Sequence, residues 1–195
     1  MKKIAALFIF AVLATGCMRV STAQMAPQLQ YCGFTVKRPA DNRWYMNRSE
    51  NEPLRACFRM DGSRTHSIYT MIDVSCMQSS SKTIDEFEQN WRAEKTQTSG
   101  RMKLLEYTSS QSLKQGQWCI NYSLKSLDLN PINSATPLVM TMKGFVVLHP
   151  NVTNAVVDAY VSQRGEESEL SPEIDNSGKS IVDGVRLESA QGKEL

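Results

Sequence analysis

Few residues in this chain are of a type that does chemistry. Two histidines and five cysteines stand among 195 residues. His149 closes the apolar run Leu138–His149, just before Pro150, and His66 follows the turn-forming Asp61-Gly62. A general base near neutral pH is most simply a histidine; no catalytic residue is assigned, and ahead of His66 the first candidate is His149. Asp158 and Ser162 would complete a hydrolytic triad with it. They lie four residues apart in one segment, however, and no GxSxG nucleophile elbow occurs. The plainer reading of His149 is a hydrogen-bonded histidine at a loop edge. The acidic groups Asp85-Glu86 and Glu166-Glu167-Glu169 read as a helix start and a solvated loop, not as two carboxylates facing across a glycosidase cleft. SGKS at Ser177–Ser180 lacks the glycine frame of a phosphate-binding loop. Met140 and Met142 share a strand face but form no copper motif with histidine, so the ten methionines are read as packing. No metal site and no cofactor is expected.

The cysteines are Cys17, Cys32, Cys57, Cys76 and Cys119. The spacings of the last four match neither CxxC nor a zinc-ribbon pattern. Cys17 stands apart because it ends an apolar run. Lys2 and Lys3 precede ten uncharged residues, Ile4–Leu13, and then the small residues Ala14, Thr15 and Gly16. That is the layout of an export signal, too short for a comfortable membrane span. Alternatives are a plain secretory peptide cleaved after Ala23 and a short anchor that stays uncleaved.

The stretch ATGC, Ala14–Cys17, resembles the lipobox of bacterial lipoproteins, with Ala14 where leucine is commoner. The resemblance implies a diacylglyceryl thioether on Cys17, cleavage of the Gly16–Cys17 bond and acylation of the new amino group. Several acyl chains meet the condition for stable anchoring that one chain does not. Met18 in place of aspartate implies, by the same resemblance, the outer membrane of a Gram-negative bacterium, facing the periplasm or the surface. With Cys17 lipidated, Cys32, Cys57, Cys76 and Cys119 form an even set in an oxidising compartment. Two disulfides are then expected, with all three pairings open.

These assignments divide the chain into a signal peptide (1–16), an anchor and flexible tether (17–30) and one domain (31–190). The tether would reach about 40 Å if extended. Setting aside Lys2 and Lys3 leaves 20 basic and 20 acidic residues. That balance excludes an electrostatic case for nucleic acid. A mean hydropathy of -0.36 excludes a multi-span membrane protein.

The elements follow from periodicity. YCGFTVK (31–37) reads as a short strand with Phe34 and Val36 on one face. Trp44 and Tyr45 fall in a loop-like stretch and are the first choice for an exposed contact. LRACFRM and HSIYTMIDV flank Asp61-Gly62 as a hairpin. Pairing Phe58 with Ile68 places Cys57 and Cys76 on opposite faces. Thr83 caps a helix whose Ile84, Phe87 and Trp91 share a face, with Glu86 in capping-box position. Strands are expected at 101–108, 117–124 and 138–149, and at 155–163, where helix is the alternative and the dense β-branched residues favour strand. In the second of these, Asn121 and Ser123 mark the wetter face, and Gly144 in the third marks a bend or bulge. Residues 165–180 read as loop, and 177–188 as a closing helix weakened by Gly184.

The sum is an α+β domain, a mostly antiparallel sheet of six to seven strands with one or two helices packed on one side. Its order of elements resembles the PsbP/Mog1-type fold, which does not fix a function. The functional expectation is a lipid-anchored envelope protein with a binding or scaffolding role. Its partners would be membrane lipid through Cys17 and an envelope or secretion-system protein. An envelope enzyme with an unfamiliar site, or a periplasmic carrier of a small apolar ligand, are the alternatives.

Overall fold

The computed structural model describes residues 18–48, 54–77, 80–97 and 100–188. In chain order the first strands are β1 (Met18–Ser21), β2 (Gln28–Gln30), β3 (Phe34–Lys37), β4 (Trp44–Arg48), β5 (Arg55–Met60) and β6 (Ser67–Cys76). Helix α1 (Ile84–Lys95) separates them from β7 (Met102–Lys114), β8 (Gln117–Asp128), β9 (Leu138–Leu148) and β10 (Ala155–Gly165). Helix α2 (Pro172–Asp183) and β11 (Arg186–Leu187) follow. Eight strands form one antiparallel sheet, ordered β1-β4-β5-β6-β10-β9-β8-β7, and three form a small sheet, β11-β3-β2. The architecture is α+β with a mostly antiparallel sheet and two helices, as the periodicity predicts, though with more strands than expected.

Alternation along the strands gives the large sheet two apolar faces. On one face, Phe58, Ile72, Ala159, Val161, Phe145 and Val147 pack with Phe34 and Val36 of the small sheet and with Ile181 and Val182 of α2. On the other, Ile120, Tyr122, Val146 and Val156 pack with Phe87 and Trp91 of α1. The two helices therefore cover opposite faces, where packing on one side was expected. The reason lies in β9 and β10. Both carry apolar residues at successive positions, such as Val146-Val147 and Val156-Val157, so neither face of the sheet centre can be left to water. Fully burying a side chain such as Phe58 or Phe87 contributes about 1.5–3 kcal/mol.

Helix α1 begins where the sequence places it. Thr83 Oγ1 accepts from Glu86 N at 3.2 Å, and the Glu86 carboxylate accepts from Lys82 N at 2.6 Å, one residue short of a full capping box. The β5–β6 hairpin pairs Phe58 with Thr70 and Met60 with Ile68, two residues from the expected register. A shift of two preserves the faces, so Cys57 and Cys76 do lie on opposite sides.

Other expectations are corrected. Residues 18–30 are not a tether. β1 is an edge strand paired with β4, from Met18↔Arg48 to Ser21↔Tyr45, and Met25 and Thr22 are buried. Trp44 is not an exposed loop residue but a core side chain, 1% exposed, at the start of β4. Gly144 marks no bulge. Its strand keeps register on both sides, and the ladder irregularity falls between Leu104 and Glu106 of β7 instead. Residues 165–180 are not one loop, because α2 already starts at Pro172, a residue suited to the first helical turn. Gly184 ends that helix and does not interrupt it.

No disulfide joins Cys32, Cys57, Cys76 and Cys119. The topology opposes the two bonds expected. Cys57 pairs in register with Met71, on the α1 side of the sheet. Cys76 and Cys119 belong to the other face, and Cys32 lies in the turn of the small sheet that covers it. All three possible two-bond pairings would require Cys57 to bond through the sheet.

Candidate functional site

One concavity arises from how α2 sits. Its apolar residues Ile174, Ile181 and Val182 face the sheet, and Gly178 lets the helix approach β10 closely. A Cβ at that position would lie 2.3 Å from Val161 Cγ2. The helix therefore runs over β10, β6 and β9, leaving the β7–β8 end of the same face uncovered. The space between is a groove of about 510 Å³.

Cross-strand register supplies its lining. Ser110, Asn121 and Phe145 are aligned across β7, β8 and β9, and Thr108, Ser123 and Lys143 form the next row. Lys179 and Asp183 project from α2 to close the rim. Lys143 Nζ lies 2.6 Å from Asp175 Oδ2, and Lys179 Nζ lies 2.5 Å from Asp183 Oδ2. At the inner end, Lys114 Nζ stands 4.3 Å over the Phe145 ring. Burial pushes its ammonium below the usual lysine range. Hydroxyls, a carboxamide, ammonium groups and an aromatic floor suit the binding of a polar ligand. The sequence signal was the polar alternation Asn121-Ser123 opposite the apolar Ile120-Tyr122-Leu124. Which helix would wall that face was not readable.

The residues singled out from sequence do not meet in this groove. His149 is buried, and its Nδ1 accepts from Asn151 N at 3.2 Å. Its Nε2 abuts Gly33, where a Cβ would come within 1.9 Å and where φ is +85°. Glycine is needed there on both counts. Burial lowers the His149 pKa. Asp158 and Ser162 belong to the α1 face, so the imagined triad is divided by the sheet. His66 faces Gln163 Oε1 at 3.2 Å. Trp44 donates to Ser177 Oγ, and Tyr45 lies on the other face under the Arg19 guanidinium, 3.8 Å from the ring centroid. Cys17 lies outside the described residues. Among the described residues, no group of three or more His, Cys, Asp or Glu is placed to hold a metal ion.

Beneath α1 lies a cluster that sequence reasoning missed. Asp158 accepts from Lys95 Nζ at 2.5 Å and from Tyr122 OH at 2.6 Å. Burial pushes its carboxyl up, and Lys95 and Tyr122 oppose that shift. Lys95 is the last residue of α1 and also lies 4.3 Å from the Tyr160 ring centroid. The cluster ties the helix end to the sheet. Beside it, a cavity of about 210 Å³ is lined by Met102, Leu104, Leu124, Met140 and Met142. No helix among the described residues is long and apolar enough to cross a membrane.

No family model matches the chain, and no curated protein matches it. Among solved structures it is similar to cyanobacterial PsbP (CyanoP) from Synechocystis sp. PCC 6803, in solution. The identity is 11% and the TM-score 0.41, over 93% of this chain and 98% of that one.

Proposed function

We propose that the protein is a lipid-anchored component of the cell envelope, acylated at Cys17 in the outer membrane, whose α2 groove binds a polar ligand or partner segment. The observation that supports binding is the groove itself. It is open, lined by hydroxyl, amide and ammonium groups, and its two rim lysines are already committed to Asp175 and Asp183. No histidine lines it, and the first catalytic candidate, His149, is buried beside Gly33. The carrier alternative is less favoured. The Met-lined cavity under α1 holds about 210 Å³, below the roughly 300 Å³ typical of small-ligand sites.

A photoreactive amino acid placed at Ser123 in the groove, and at Lys82 as a remote control, tests the binding role in intact membranes. A specific adduct from position 123 that is lost in Lys143→Glu is expected. Equal adducts at both positions, or none, would contradict the groove assignment.

A further inference from the structure

Helix α1 covers only the β7–β10 half of its sheet face. Among the described residues, no helix or strand lies over the other half, formed by β1, β4, β5 and β6. Register fixes what this half presents. Arg19 and Tyr45 stand at the edge, Arg59 and Tyr69 form one row, and Cys57 and Met71 the next. Tyr45, Tyr69 and Met71 are half-buried, while Arg19 and Arg59 are exposed.

We propose that this half-face lies against the lipid bilayer in which Cys17 is anchored, an inference that rests on the lipid-anchor reading above. β1 is paired from Met18 onward, so one peptide link, about 3.8 Å between Cα atoms, joins the acylated residue to an ordered edge strand. The domain has no slack with which to stand off, and the bilayer must meet it along that edge. Of the two faces adjoining β1, one belongs to the core that holds Phe34 and Val36 of the small sheet, against which Val20 packs. The other is the open half-face. Its chemistry fits the headgroup layer. Tyrosine rings offer an apolar body with a polar tip, and arginine stems lie along apolar surface with the charge in water. Arg19 is paired with Asp61 and Arg55 with Asp73, so the face is nearly balanced in charge. Acyl chains supply the attachment and the face supplies the orientation. In this posture the α2 groove, on the opposite face, points away from the membrane.

The test uses the full-length, acylated protein in vesicles of phosphatidylethanolamine and phosphatidylglycerol containing brominated lipid. Tryptophan replaces Tyr69 on the open half-face or Lys37, exposed on β3 of the small sheet. Quenching in Tyr69→Trp should exceed that in Lys37→Trp roughly twofold or more, because contact reaches only the headgroup–acyl boundary. A flexible linker of fifteen residues inserted between Cys17 and Met18 should reduce the difference. Equal quenching, or stronger quenching at 37, would overturn the proposal while leaving the anchor intact. Absence of palmitate label on the wild-type chain would overturn the anchor reading and this proposal together. Circular dichroism of both variants shows whether the fold is kept.

Discussion

Trp44 of β4 and Ser177 of α2 are joined by a partly buried hydrogen bond, Trp44 Nε1 donating to Ser177 Oγ at 2.9 Å. The same hydroxyl donates to Asp41 Oδ2 at 2.9 Å. One hydroxyl thus links the start of β4 to the helix that walls the groove. Ser177→Ala leaves the indole N–H buried without an acceptor, and its expected cost is about 1–3 kcal/mol. Urea unfolding followed by tryptophan fluorescence reads it, and a cost near zero would show that the link is dispensable.

Asp41 sits at the other end of this link, and the Arg43 guanidinium lowers its pKa from 3.8 to about 2. A carboxylate depressed in the folded state contributes stability above its ordinary pKa and loses it as pH falls through the folded value. Asp128, held down chiefly by Arg101, acts in the same direction. Stability should therefore decline between about pH 4 and pH 2, and less steeply in Asp41→Asn. Asp158 acts in the opposite sense. Its pKa is raised by burial, so its contribution is full below the ordinary carboxylate value and is lost as pH rises through the folded one. Unfolding at a series of acidic pH values, with Asp41→Asn and Asp158→Asn compared, separates the two slopes.

Phe87 is fully buried between α1 and the sheet, among Ile120, Tyr122 and Val146. Phe87→Ala should cost about 3–5 kcal/mol. Because α1 and α2 lie on opposite faces, amide exchange should quicken in α1 well before α2. Uniform quickening of both helices would mean that the two cores are not separable.

The position of Cys57 predicts the thiol chemistry. Peptide mapping without reductant, on protein exported to an oxidising compartment, should find no peptide linking Cys57 to Cys32, Cys76 or Cys119. At most one bond can form among those last three. A Cys57–Cys119 bond would contradict the assignment of faces.

The sequence made some of this legible because local signals and tertiary packing agreed. Phe58, Ile68 and Ile72 alternate as the hairpin requires, and Thr83 caps α1 where the apolar period of Phe87 and Trp91 begins. Elsewhere long-range partners decided. MRVS carries no steady period, yet it becomes a strand because β4 offers it an edge. Trp44 reads as loop because nothing near it in sequence shows that Ser177 waits 133 residues on. Helix α2 starts in a stretch whose Glu173, Asp175 and Asn176 disguise it, although Pro172 was a usable cue. The groove needed both facts, the polar face of β8 and the position of α2, and only the first is written locally.

In the proposed arrangement Cys17 is an acylated N-terminus from which a folded domain begins at once. Mass spectrometry of the N-terminal peptide of the membrane-extracted protein tests it most directly. The expected first residue is Cys17, carrying thioether-linked and amide-linked acyl chains. An unmodified N-terminus at Gln24, or an uncleaved chain beginning at Met1, would contradict it.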